Sequence, residues 1–208
     1  MLPNLFTWMP LPDLPRVPDR FIQRGLELIE DGTGVDQNVS LKMLDNSHYD
    51  RRLIKNGQEM PTRKQVNYNI GAEWDSWVRE HIFPTFEETG IRFSSGSATH
   101  TGPHVDNPGK IRFFYLIDRG GEDTETVFYL EPGKTPIFDM DNWNHSKPYT
   151  YNNIDELIVL DRARFPLNTW VLFNGYILHG VENVTAPRIF FSVSIRPEDF
   201  IFHIKPAG

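Results

Sequence analysis

The sequence predicts a mainly β fold, a jelly roll or barrel with one or two helices packed outside it. Three observations carry this expectation. Two stretches within the first 90 residues place apolar side chains at helical spacing. From Ile91 onward about eight short apolar runs follow one another. Those runs are separated by Gly, Pro and Asn turns rather than by helical segments. A chain of 208 residues fits a single domain, 1–208, with 1–90 as a helical N-terminal elaboration and 91–200 as the β core.

In chain order, Pro3, Pro10, Pro12, Pro15 and Pro18 make the leader extended, with an edge strand around Leu5–Met9. Asp19 opens a helix through Glu30, whose apolar face is Phe21, Ile22, Leu26, Leu28 and Ile29; Gly32 stops it. Residues 31–69 are polar and aperiodic and yield no element. A second helix begins near Glu73 with Trp74, Trp77, Val78 and Ile82 on one side; Pro84 kinks or breaks it and Gly90 ends it. The strand candidates are Ile91–Ser94, Ile111–Asp118, Thr126–Leu130, Pro136–Asp139, Glu156–Leu160, Thr169–Phe173, Tyr176–Val181 and Arg188–Ile195. Asn174-Gly175, between two of them, predicts a two-residue hairpin.

Composition removes several function classes. The formal charge is −7 and no Lys/Arg-rich run exists, so general nucleic-acid binding and attraction to an anionic membrane are not expected. The absence of cysteine excludes disulfides, thiolate metal sites, Fe–S clusters and Cys nucleophiles. No apolar run approaches a membrane span, and residues 1–10 lack the basic and apolar regions of a signal peptide, so a cytoplasmic protein is expected.

One constellation carries chemistry. Gly102-Pro-His104-Val-Asp106-Asn-Pro108 immediately precedes the strand Ile111–Asp118. In extended chain, residues two apart point to the same side, so His104 and Asp106 can offer a nitrogen and a carboxylate oxygen to one ion. His179 follows the Asn174-Gly175 turn, and Arg188 opens the last apolar strand nine residues later. Two imidazoles and one carboxylate on one face of a metal leave three positions open, which suits a non-haem Fe(II) centre that must hold a bidentate co-substrate and O₂ together. His-x-Asp by itself is a weak signal; a second instance, His48-Tyr-Asp50, lies in the aperiodic stretch with no strand to hold it, and is read as solvated or locally capping. Two other readings stay open: a cupin-like metal-dependent isomerase or binding protein using the same three ligands, and a binding module in which the His/Asp set is incidental.

On these residues the span from about Ile91 to Ile195 resembles the double-stranded β-helix core of the 2-oxoglutarate- and Fe(II)-dependent oxygenases. It is most similar to the prolyl-hydroxylase-like branch, through His104-Val-Asp-Asn-Pro108 followed by Tyr115-Leu116, then His179 and Arg188. The resemblance implies Fe(II) held by His104, Asp106 and His179, with 2-oxoglutarate and O₂ as co-substrates. It implies that Arg188 binds the far carboxylate of 2-oxoglutarate, with Tyr115 and Ser192 as further donors to it. It implies a dioxygenase that hydroxylates a protein side chain or a small molecule and releases succinate and CO₂. Trp143, His100, Thr101 and Asn107 are loop candidates for a substrate mouth.

Overall fold

A computed structural model describes residues 6–32, 35–36, 53–60, 65–94, 101–106, 111–133, 153–196 and 199–200. The elements in order are β1 (Trp8–Leu11), α1 (Asp19–Asp31), β2 (Val35–Asp36), β3 (Leu53–Lys55), β4 (Gln58–Met60), β5 (Gln65–Tyr68) and α2 (Ala72–His81). Then follow β6 (Glu88–Ser94), β7 (Thr101–His104), β8 (Ile111–Asp118), β9 (Glu125–Leu130), β10 (Ile158–Ala163), β11 (Trp170–Asn174), β12 (His179–Glu182) and β13 (Arg188–Ile195). The protein is mostly β. A seven-stranded sheet has the order β1-β11-β8-β13-β6-β5-β2, a four-stranded sheet has the order β10-β9-β12-β7, and β3 and β4 form a separate hairpin. All pairings within these sheets are antiparallel, giving a jelly-roll-like arrangement.

Strand alternation sorts the side chains into three layers. On one face of the large sheet, Phe113, Tyr115, Trp170, Leu172, Phe191 and Val193 pack against Phe21 of α1 and Trp74, Trp77 and Val78 of α2. The helices exist to cover this face: Phe21 meets Trp74 edge-on at 5.3 Å, and Trp74 lies 4.8 Å from Phe191. On its other face, Leu116, Phe173 and Phe190 meet Phe128 and Ala163 of the small sheet. The outward face of the small sheet carries Val127 and Tyr129, covered by Val105, Ile154 and Leu178. Among the described residues no helix is long and apolar enough to cross a membrane.

Several sequence expectations shift. α1 stops where expected: Gly32 takes the left-handed conformation (φ 66°) and donates its N–H to Ile29. The second helix ends at His81, earlier than Pro84 required, and β6 begins at Glu88. The described residues of the aperiodic stretch 31–69 include four short strands, too brief for a period to emerge. The Asn174-Gly175 hairpin is not formed: β11 pairs with β1 and β8 in the large sheet, β12 with β7 and β9 in the small one. Neither residue adopts the positive φ that a type I′ turn needs, and the Gly175 carbonyl instead accepts from Asp106 N at 2.9 Å. The turn therefore carries the chain from one sheet to the other. The candidate strand Pro136–Asp139, and His48, Asp50, His100, Asn107 and Trp143, lie outside the described residues.

Candidate metal centre

The metal-ligating types converge at one end of the space between the sheets. β7 is an edge strand of the small sheet, which accommodates Pro103 and its missing donor, and a register shift opposite β12 aligns His104 directly with His179. Aligned residues of an antiparallel pair share a face, and the two imidazole centroids are 4.4 Å apart. Asp106, two residues on, returns to the same side while Val105 points outward into the cover of the small sheet. The ligand atoms of His104, Asp106 and His179 lie within 4.8 Å of one another.

Hydrogen bonding fixes the form of both rings. His104 Nδ1 is 2.8 Å from the Gly102 carbonyl, and His179 Nδ1 is 2.8 Å from the Ile177 carbonyl. A carbonyl only accepts, so each Nδ1 carries a proton, and Nε2 is the nitrogen turned towards the site. Those Nε2 atoms face the carboxylate: His104 Nε2 is 3.8 Å from Asp106 Oδ1 and His179 Nε2 is 4.0 Å from Oδ2. Burial, then the neighbouring His104, lowers the His179 pKa to about 3, so this ring is neutral at neutral pH. Burial by itself would raise Asp106, but Arg112, with lesser help from His179, His104 and Arg92, outweighs it and holds the carboxyl at about 2. A neutral His179 imidazole and an ionised Asp106 carboxylate are the forms that bind a cation.

Asp106 is braced from two directions. Its backbone N–H donates to Gly175, and its Oδ2 lies 2.6 Å from Arg112 Nε in an ion pair between almost fully buried side chains. That contact is one of charge: Oδ2, though buried, accepts no directed hydrogen bond among the described residues. A buried acceptor without a directed donor, facing two imidazole Nε2 atoms, fits a divalent metal bound through nitrogen and oxygen. Phe173 closes the inner side, edge-on to the His179 ring at 4.5 Å, with Phe128 at 6.3 Å.

The expected co-substrate residues divide. Arg188 is buried on the inter-sheet face at the start of β13, and its guanidinium carbon stands 5.3 Å from the Phe190 ring centroid, so the side chain runs along that face towards the metal end. Ser192 shares the face by alternation, but its hydroxyl accepts from Arg92 Nε at 2.8 Å. Tyr115 is a correction. It is fully buried on the opposite face of the large sheet, 5.2 Å from Trp170, with its hydroxyl end towards Arg16 of the leader. Its register partners Trp170 and Phe191 point the same way. From there it cannot meet a carboxylate lying between the sheets; the inward residues of β8 are Arg112, Phe114 and Leu116.

Sequence reasoning missed Arg92 and Arg112. Each is the centre of an Ile-Arg-Phe triplet, Ile91-Arg92-Phe93 and Ile111-Arg112-Phe113. Period-two alternation sends the arginine to the face opposite its apolar neighbours, and in a two-layer protein that face is also interior. Arg92 Nη2 lies 3.1 Å from Glu88, and burial, followed by the charge of Arg112, lowers its pKa to about 10, which leaves it protonated.

No family model and no curated protein matches the sequence. Among solved structures the fold is similar to a Pseudomonas putida prolyl-4-hydroxylase, at TM-score 0.47 and 10% identity over 92% of this chain and 94% of that one. It is also similar to the epimerase SnoN, solved with Fe3+, alpha ketoglutarate and nogalamycin RO, at 0.46 and 13% over 97% and 86% of the two chains. A third likeness is to a Trichoplax adhaerens prolyl hydroxylase in complex with a hypoxia inducible factor peptide fragment, at 0.40 and 14% over 97% and 89%. These are likenesses of fold.

Proposed function

We propose that this chain is an Fe(II)- and 2-oxoglutarate-dependent dioxygenase, hydroxylating a protein side chain or a small molecule with release of succinate and CO₂. The observation that carries the reading is the meeting of His104, Asp106 and His179 with both Nδ1 protons committed to backbone carbonyls. The fold reading that goes with it is a double-stranded β-helix. Its support is the interleaving of strands: β6, β8, β11 and β13 belong to one sheet, and β7, β9, β10 and β12 to the other.

In this reading His104 and His179 bind the metal through Nε2 and Asp106 binds it through a carboxylate oxygen, leaving three positions open. Fe(II) with 2-oxoglutarate and O₂ supplies there a two-electron oxidation of a C–H bond, coupled to decarboxylation of the co-substrate. The chain's part is placement. Arg188, at the far end of β13, grips the distant carboxylate of 2-oxoglutarate with its planar fork and stays charged in a buried position. Phe173 and Phe128 keep water from the inner side of His179.

The test is anaerobic addition of Fe(II) and then 2-oxoglutarate. A weak visible charge-transfer band is expected, together with succinate release once O₂ is admitted. Fe(II) binding without the band, and with no succinate above the protein-free background, would leave a metalloprotein of another class.

A further inference from the structure

Arg112 enters the metal end from the sheet opposite β7 and β12, and the roles assigned so far do not use it. Phe173 and Ser194 stand beside it as register partners on β11 and β13. Its side chain is 8% exposed, and among the described residues its ion-pair partner is Asp106, with Nε 2.6 Å from Oδ2. The carboxylate is nearly symmetric towards the histidines: Oδ1 lies 3.8 Å from His104 Nε2, and Oδ2 lies 4.0 Å from His179 Nε2. Both oxygens are thus presented to the site, and an ionised carboxylate binds a cation through one oxygen or through both. The contact that tells the two oxygens apart is the one with Arg112. The number of oxygens used matters to the chemistry. On a six-coordinate metal, two imidazoles and one carboxylate oxygen leave three positions, whereas two imidazoles and a chelating carboxylate leave two. A bidentate 2-oxoglutarate together with O₂ needs three.

We propose that Arg112 is a positioning residue that limits Asp106 to a single metal-binding oxygen and so holds the third position open. The inference rests on the dioxygenase reading and names the residue that sets how many positions stay vacant in it. The carboxylate serves two cations, the guanidinium and the metal, and each takes one oxygen. A guanidinium suits this part because it stays charged when buried. Chelation by both oxygens would draw Asp106 off Arg112 and leave a buried cation without its counter-ion, an arrangement strongly disfavoured in a protein interior. The base of the aspartate is fixed separately, by its backbone N–H on the Gly175 carbonyl at 2.9 Å, so Arg112 has only the twist of the carboxylate to set. The co-substrate's own metal-bound carboxylate takes a position that single-oxygen attachment leaves free, and Arg112 need not leave Asp106 to admit it.

The experiment counts the water molecules on Mn(II) bound to the full chain, from the broadening of its electron spin resonance lines in H₂¹⁷O. The wild type should show three, and 2-oxoglutarate should displace two of them. Failure of 2-oxoglutarate to displace water counts against the dioxygenase reading, and the count taken without it still measures what Arg112 does. Arg112→Met, similar in length and without charge, should show two waters, because both oxygens of Asp106 then close on the metal. Its 2-oxoglutarate affinity should hold within about threefold, while succinate formation falls by about 10–100-fold because the position for O₂ is taken. Arg112→Lys keeps a cation for the second oxygen and should retain three waters. Three waters in folded, Mn(II)-loaded Arg112→Met overturns the proposal, since single-oxygen attachment would then not need the guanidinium. Two waters in the wild type overturns it as well, and that count needs no variant to fold.

Discussion

Arg188→Ala separates a 2-oxoglutarate enzyme from any other protein that gathers two histidines and an aspartate. The side chain is about 93% buried, which leaves little room for water to take its place beside a carboxylate. Truncating one member of a buried charge pair costs about 2–5 kcal/mol, and for a site this enclosed the upper part of that range applies, about 3–5 kcal/mol. The 2-oxoglutarate dissociation constant should therefore rise by roughly 150- to 5,000-fold. Metal affinity should stay nearly unchanged, because the residue aligned with Ser94 stands at the other end of β13 from the residues aligned with Arg112. The assay is calorimetric titration of 2-oxoglutarate into the Mn(II)-loaded protein, with metal content measured in both forms. Arg188→Lys should fall between, since an ammonium keeps the charge but loses the planar fork. Unchanged 2-oxoglutarate affinity in a folded, metal-loaded Arg188→Ala protein would refute the assignment of the co-substrate to this end of the barrel.

Three further outcomes are expected. His179→Ala should lower Co(II) affinity by at least about a hundredfold, since removal of mere supporting groups already costs 10–100-fold; full metal stoichiometry at the same affinity would show that the cluster is not the site. Glu182, buried and bonded to Lys55 at 2.8 Å and Tyr129 at 2.5 Å, should cost about 2–3 kcal/mol as Glu182→Gln in urea unfolding at neutral pH. Burial would raise the Glu182 pKa, but Lys55 and Tyr129 outweigh it and lower it, so its contribution is fully present above the ordinary value of 4.5 and is lost as pH falls below it. The difference between wild type and Glu182→Gln should accordingly shrink on acidification, and a difference constant down to the acid transition would contradict the sign. Gly120 has φ 87° and an added Cβ would stand 3.0 Å from the Arg188 Cβ; Gly120→Ala should destabilise by about 1–3 kcal/mol and weaken 2-oxoglutarate, whereas unaltered binding would mean that Arg188 tolerates displacement.

How much of this could be read from the chain follows a physical divide. Long apolar runs disclose themselves: Ile111–Asp118 and Arg188–Ile195 form strands with those bounds, and Trp74, Trp77 and Val78 form the buried side of a helix. The meeting of His104, Asp106 and His179 was legible because their types are few and because residues two apart in extended chain share a side. Partnership was not legible. Asn174-Gly175 has the composition of a tight hairpin, yet β11 and β12 enter different sheets, since each finds a distant partner of matching face. Tyr115 was misplaced for the same reason: the sequence places it next to inward residues but does not say which parity is inward. Arg92 and Arg112 were hidden by the habit of reading a charged residue in an apolar strand as the solvent side.

Both imidazoles are oriented by carbonyls two residues back in their own strands, Gly102 for His104 and Ile177 for His179. Ring orientation is thus written into the path of the main chain, and among the described residues no acid or amide bonds either Nδ1. Both Nδ1 bonds are independent of side-chain identity, so tolerance to substitution around the histidines says nothing about their idleness. What would unseat them is a change in the course of the backbone itself. Pro103 lies between His104 and its acceptor Gly102, and it makes that course stiff on a strand that stands last among the described strands of the small sheet.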